Sequence, residues 1–307
     1  MKQAESDKTL LVLLGPTGVG KTEISLQLAE YFRCPIISSD SRQFYRELKI
    51  GTAAPAEEQL MRVKHYFIGS HSIHDEYNAG QYEIDVIELL QKLFLEHEVV
   101  MLVGGSMMYI DAVCNGIDDI PSVDTVTRRY WTEQLEEKGA EFIRNELKRL
   151  DPVHYDEVDL NNTKRILHAL EICSITGKPF SAIRTGVRKK RPFNIVKIGL
   201  NMPREELYER INQRVIQMMK DGLHEEAKQY YPFRHLNTLN TVGYKELYEY
   251  MDGKQTLDFA VNMIQQDSRR YAKRQMSWFN RDKEIVWFHP HDKEAILKYI
   301  GQRIEFQ

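Results

Sequence analysis

The apolar run Leu10-Leu11-Val12-Leu13-Leu14 leads straight into Gly15-Pro16-Thr17-Gly18-Val19-Gly20-Lys21-Thr22, and this into Glu23-Ile24-Ser25-Leu26-Gln27-Leu28-Ala29. The order reads strand, glycine-rich loop, helix. In that context the spacing G-x-x-x-x-G-K-[ST] makes a phosphate cradle. Backbone N–H groups meet the phosphate oxygens, Lys21 reaches the terminal phosphates, and the Thr22 hydroxyl is offered to a magnesium ion. A di- or triphosphate is expected here, held by Gly15, Thr17, Gly18, Val19, Gly20, Lys21 and Thr22. Mg2+ is the expected cofactor and Thr22 its protein ligand. The loop by itself does not say which phosphate compound it holds.

With 307 residues, 42% of them hydrophobic, the chain has enough material for one large domain or two ordinary ones with a proper core. No apolar stretch approaches the roughly 18 residues that a membrane span needs, and the opening MKQAESDK is too polar for a signal peptide, so a cytoplasmic protein is expected. The three cysteines, Cys34, Cys114 and Cys173, are far apart and lack metal-ligand spacing, and read as reduced core residues. His71 with His74, and His289 with His291, come without a cysteine or carboxylate pattern and read as solvated or capping histidines.

Strand and helix patterns alternate through the first part of the chain, as a doubly wound α/β fold requires. Leu10–Leu14, Pro35–Ser39 and Glu98–Val103 are the expected strands. Tyr82–Leu95 has helical spacing, with Ile84, Ile87, Leu90 and Leu93 or Phe94 on one face. The third strand ends in Gly104-Gly105-Ser106, where nucleotide hydrolases often place a magnesium-binding aspartate, which argues against an ordinary ATPase. After Pro121 the texture turns charged and helical, with helices expected over Asp124–Lys138, Ala140–Leu150 and Asn162–Thr176. Ile195–Leu200 then returns as a strand, and Ile285–Phe288 is the last one. The expectation is a phosphate-loop α/β core, a doubly wound parallel sheet built from residues 1–118 and 190–307, interrupted by an all-helical insertion over 119–189.

The net charge is only −3, so its distribution matters more than its total. Arg188-Lys189-Lys190-Arg191 is one basic cluster, and Asp258 to Lys283 holds six positive against three negative side chains. Such an excess could follow a phosphate backbone, although a charge run is more often a solvated face.

Several further segments carry a resemblance together: Ile37-Ser38-Ser39-Asp40-Ser41-Arg42-Gln43-Phe44-Tyr45-Arg46, Ile50-Gly51-Thr52-Ala53, Val103-Gly104-Gly105-Ser106-Met107-Met108-Tyr109, Arg165 to Glu171, and Tyr271-Ala272-Lys273-Arg274-Gln275 with Trp278-Phe279. In this order, and over nearly the whole chain, the sequence resembles the tRNA dimethylallyltransferase family. The resemblance implies transfer of a dimethylallyl group from its diphosphate to the exocyclic amine of the adenosine just 3′ of a tRNA anticodon. The implied partners are dimethylallyl diphosphate and the anticodon stem-loop of tRNA; no membrane partner is expected from a chain without a long apolar run, and no repeat, heptad or large apolar stripe in the sequence calls for a dimer, so a monomer is expected.

That chemistry needs a stabilised diphosphate leaving group, which the loop, Lys21 and a Thr22-bound magnesium supply. The family pattern adds Arg214 to the diphosphate site; read without it, Arg214 is a solvent-facing helix arginine. Adenine's exocyclic amine is a poor nucleophile, and Asp40, at the end of an expected parallel strand, is placed to take its proton. A helix N-cap is the alternative reading of Asp40. The resemblance further implies tRNA contacts at Asp40, Ser41, Arg42, Gln43 and Ser106, at Arg128, Lys164, Arg165 and His168 of the insertion, and at Gly243, Tyr244, Lys245, Arg270, Lys273 and Arg274. Ser106 stands where threonine is frequent, His168 where arginine is frequent, and Asn280 precedes Arg281 where the family usually has an arginine directly after the aromatic pair. Trp278 and Phe279 read as core in preference to base-stacking residues. The rival readings are a phosphate-loop small-molecule kinase and a non-catalytic RNA-binding protein.

Overall fold

The computed structural model describes residues 8–304. Six strands, β1 (Thr9–Leu14), β2 (Ile36–Ser38), β3 (His65–Tyr66), β4 (Val99–Gly104), β5 (Asn194–Leu200) and β6 (Val286–Phe288), form one all-parallel sheet in the order β3-β2-β4-β1-β5-β6. β1 lies inside it, pairing with β4 on one side and β5 on the other. Successive side chains of a strand point to opposite faces. Leu11 and Leu13 therefore pack with Ile24, Leu26 and Leu28 of the helix Lys21–Phe32, while Leu10, Val12 and Leu14 pack with Tyr82, Val86 and Leu90 of the helix Ala79–Leu93. All six residues of β1 are buried. Helices cover both faces of the sheet, which is why the run carries no polar alternation. The doubly wound α/β class read from the sequence is the class observed.

The helix Ala79–Leu93 departs from its expected face. Tyr82, Val86, Leu90 and Leu93 point inward, whereas Ile84 is 62% exposed. Tyr82 fixes the rotation: its ring stacks on Phe44 with centroids 5.2 Å apart, and its hydroxyl donates to the Ser38 carbonyl at 2.7 Å. A tyrosine with a hydrogen-bond partner is a better core residue than the periodicity credited. β3, only two residues long, was not anticipated, because so short a strand has no pattern to read.

Two compact units divide the chain. One comprises the residues up to Cys114 and from Lys190 onward, and the other is Asn115–Lys189. The second unit is helical, with Thr125–Leu150, Pro152–Glu157, Thr163–Thr176 and Phe180–Ile183 around Trp131, Ile143, Leu147, Ile166, Leu170 and Ile172. Its long helix is interrupted at Gly139, whose backbone is non-helical (φ 82°, ψ 175°). That is where the sequence placed a break. In the first unit a satellite core joins Tyr45 and Leu48 to Leu223, Ala227, Tyr244 and Leu247. Cys34, Cys114 and Cys173 are free and buried, and Trp278 and Phe279 belong to the sheet-packing core, as read. No helix among the described residues is long and apolar enough to cross a membrane.

Candidate active site

Three pieces of the candidate site in the first unit hang from the carboxyl ends of strands, where α/β sheets place their ligands. β1 runs into the phosphate loop, β2 into Ser39-Asp40, and β4 into Gly105-Ser106. Because β4 lies between β2 and β1, its glycine turn separates Asp40 from the loop. Gly20 caps the helix Lys21–Phe32 in the left-handed region (φ 99°), and a Cβ there would sit 3.2 Å from the Arg210 guanidinium. Glycine thus serves both the turn and the close approach of a cation.

The Lys21 ammonium donates to the carbonyl oxygens of Gly15 (3.0 Å) and Pro16 (2.8 Å). Burial pushes its pKa down to about 8; the Asp40 carboxylate opposes that shift and the Arg214 guanidinium adds to it. Burial likewise lowers the pKa of Arg214, again against Asp40. Arg214 is therefore not the solvent-facing arginine of the alternative reading. It reaches inward from the helix Arg204–Lys220. Asp40 caps no helix: its Oδ1 accepts from the Arg42 backbone N–H at 3.0 Å, stabilising a turn.

Two adjoining cavities meet here. The smaller, about 250 Å³, is lined by Thr17, Gly18, Gly20, Lys21 and Thr22 together with Arg210 and Arg214. The larger, about 400 Å³, is bounded by Ser41, Arg42, Gly51, Thr52, Gly243 and Lys245. Thr17, Asp40, Arg214 and Tyr271 line both. Burial raises the pKa of the Tyr271 phenol to about 12, and nearby Asp40 adds to the rise.

Three residues were not assigned a role from the sequence. Arg210 lies one helical turn before Arg214 and shares its cavity, so i, i+4 spacing was the signal. Tyr271 and Gln275 are spaced likewise on the helix Leu257–Phe279, on the side away from solvent. Gln275, 1% exposed, accepts from the Thr17 N–H (2.9 Å) and donates to the Gly105 carbonyl (2.8 Å), tying the phosphate loop to the glycine turn.

The structure places the remaining residues named from the sequence as follows. The Val19 side chain is in the core, and its N–H points to the Pro16 carbonyl. Ser106, 6% exposed, spends its hydroxyl on the Ser41 N–H (2.9 Å) and Ser41 Oγ (3.1 Å), and so orders the turn beside Asp40 without facing outward. Tyr244 is fully buried and hydrogen-bonds to Glu226; its ring is not a surface for RNA. Gln43 lines the smaller cavity while donating to the Thr52 and Ala53 carbonyls. Lys245 (2.8 Å) and Arg270 (3.0 Å) share Asp267, whereas Lys273 and Arg274 are exposed and Arg274 borders the larger cavity. In the second unit Lys164 and Arg165 are exposed, and Arg128 (3.9 Å) and His168 (3.6 Å) both lean on buried Glu171. Among the described residues no group of three or more His, Cys, Asp or Glu is placed to hold a metal ion. A metal here would rely on hard oxygen ligands, for which the exposed Thr22 hydroxyl at the loop is suited.

A family model for IPP transferase matches residues 43–282. tRNA dimethylallyltransferase 1 of Phocaeicola vulgatus is 59% identical over 292 residues, covering 95% of this chain and 97% of that protein. The tRNA dimethylallyltransferase of Christiangramia forsetii is 46% identical over 296 residues, or 96% and 98% of the two chains. Among solved structures, the tRNA isopentenylpyrophosphate transferase of Bacillus halodurans superposes with a TM-score of 0.71 at 33% identity, covering 97% of both chains. A eukaryotic dimethylallyltransferase caught acting on tRNA gives 0.77 at 25% identity, over 96% of this chain and 77% of that one. Full-length similarity at this level, on a fold whose strand ends carry the matching motifs, leaves one conclusion: the chain belongs to the IPP transferase family, the tRNA dimethylallyltransferases.

Proposed function

We propose that the protein transfers a dimethylallyl group from dimethylallyl diphosphate to the exocyclic N6 amine of the adenosine 3′-adjacent to the anticodon in tRNA, releasing diphosphate. One observation carries the reading: Asp40 and Arg214 border both cavities, so a carboxylate faces the nucleophile where a cation holds the leaving group. The diphosphate lies on the loop Gly15–Thr22 with Lys21, Arg214 and Arg210 around it. As the allylic C–O bond breaks, its electron pair leaves on the diphosphate, and these cations meet the growing charge. The N6 lone pair forms the new C–N bond, and Asp40 accepts the proton that N6 releases. Thr22 is the residue that would hold a magnesium ion, which would supply further Lewis-acid stabilisation of the leaving group.

The adenosine must be turned out of the stacked loop, and the larger cavity beside Asp40, Ser41 and Arg42 receives it. Lys273 and Arg274, and on the helical insertion (residues 119–189) Arg128, Lys164, Arg165 and His168, contact the tRNA backbone. The protein works as a cytoplasmic monomer. The relatives bear a transferase name, which favours this reading over the kinase. The deciding experiment is incorporation of radiolabelled dimethylallyl from its diphosphate into unmodified tRNA with magnesium, with ATP in parallel. Label in the RNA supports the transferase; ATP hydrolysis or phosphate transfer without label replaces it with the kinase.

A further inference from the structure

Two motifs remain without a task in this scheme, Ile50-Gly51-Thr52-Ala53 and Gly243-Tyr244-Lys245. They meet at Glu226, a half-buried residue of the helix Leu223–Tyr230. Three consecutive backbone N–H groups converge on its carboxylate. Lys49 N and Ile50 N each lie 2.9 Å from Oε2, and Gly51 N lies 3.0 Å from Oε1. The Tyr244 hydroxyl donates to Oε1 as the fourth partner. Successive N–H groups aimed at one point form an anion-binding nest, and here an internal carboxylate fills it. Gly51 has to be glycine, because a Cβ would come within 2.5–2.7 Å of the Tyr244 ring.

The loop so fixed leads directly to the reacting groups. Gly51 and Thr52 line the larger cavity with Asp40, and Ala53 lines the smaller one with Lys21. The Thr52 and Ala53 carbonyls accept from Gln43 Nε2 at 3.3 and 3.2 Å, and Gln43 Oε1 accepts from Ser38 Oγ at 3.2 Å. Ser38 Oγ in turn accepts from the Asp40 backbone N–H at 3.3 Å. Two sets of hydrogen bonds, joined by the loop backbone from Gly51 to Ala53, thus connect Glu226 through Gln43 and Ser38 to the Asp40 backbone N–H.

We propose that Glu226, steadied by Tyr244, is a positioning residue: it holds the Lys49–Ala53 loop as the cavity wall and, through Gln43 and Ser38, orients Asp40 toward the adenosine. The proposal rests on the transferase reading above. Its test compares wild type, Glu226→Gln and Tyr244→Phe. Glutamine keeps the shape but turns an N–H2 group toward backbone donors, whereas phenylalanine removes one donor and leaves the ring in place. Glu226→Gln should lower kcat/KM for tRNA about 10- to 100-fold, the scale of a displaced catalytic constellation. KM for dimethylallyl diphosphate should stay within about threefold, since the phosphate loop is untouched. Tyr244→Phe should shift the same parameter less. Hydrogen exchange at the Lys49, Ile50 and Gly51 amides should accelerate in Glu226→Gln, with the helix Thr163–Thr176 as the unchanged reference. Unaltered tRNA kinetics, equal losses toward both substrates that track a lower Tm, or unchanged exchange would each overturn the assignment. If Glu226→Gln does not fold, Tyr244→Phe decides by the same readouts. A wild type that incorporates no label would refute the transferase reading, and the exchange measurement would still decide whether Glu226 holds the loop.

Discussion

Charges at the sheet edge and charges on the second unit are built differently. Lys21 is packed against the Gly15 and Pro16 carbonyls, and burial holds its pKa near 8. Arg128 and His168, with side chains 58% and 49% exposed, share one carboxylate, Glu171, at the long end of ion-pair distance. Desolvating a cation costs free energy that the fold recovers only if another charge arrives. A buried cation beside a phosphate loop is therefore preset for an anionic ligand, and its loss is felt singly. Exposed cations are screened by salt, and their effect on a polyanion is a sum over many small contributions.

Four experiments test that contrast, the largest effect first. Asp40→Ala should lower kcat by about 10² to 10⁴ while tRNA affinity stays nearly intact, as expected for a group acting on one proton. Single-turnover transfer and a separate tRNA-binding titration give both numbers, and wild-type turnover would remove Asp40 from the mechanism. Lys21→Met and Arg214→Ala should each cost about 10² to 10³ in kcat/KM for dimethylallyl diphosphate, the usual loss for one transition-state donor. A loss borne instead by the tRNA term would place these cations outside the diphosphate site.

The third experiment concerns pH. The Lys21 pKa is lowered, so in the free enzyme its charge is complete well below pH 8 and disappears as pH rises through about 8. Diphosphate binds the charged form and should bind more weakly above that point, by at most about tenfold per pH unit, with uptake of a proton on binding. Calorimetry at pH 8.5 in buffers of different ionisation enthalpy reads that uptake, and a value of zero refutes it. The smallest effect is expected at the surface. Lys273→Ala or Lys164→Ala should weaken tRNA binding only a few-fold and reduce the salt slope by about one. A single exposed lysine that abolished binding would erase the distinction between the two regions.

Much of the first region was legible because its signals are local. Strand β1, the glycine loop and the helix after it are contiguous, and Asp40 lies two residues past the end of β2. Arg210 was within reach of the same reasoning, one turn from Arg214. Glu226 and Gln275 were not, since each acts on backbone groups remote in sequence: Glu226 on Lys49–Gly51, and Gln275 on Thr17 and Gly105. Tyr244 shows the opposite failure. Its place in a motif points to an RNA contact, but packing turns it inward against Gly51.

The sequence by itself determined the parallel α/β core, the phosphate loop and the family, because apolar runs, glycine spacing and ordered motifs are properties of the chain. Only the tertiary structure decided that burial lowers the pKa of Lys21 and of Arg214 with the Asp40 carboxylate opposing both shifts, that Ser106 and Tyr244 face inward, and that one carboxylate holds the Lys49–Gly51 backbone. Those outcomes depend on which surfaces are removed from water together, and that is set when distant segments pack.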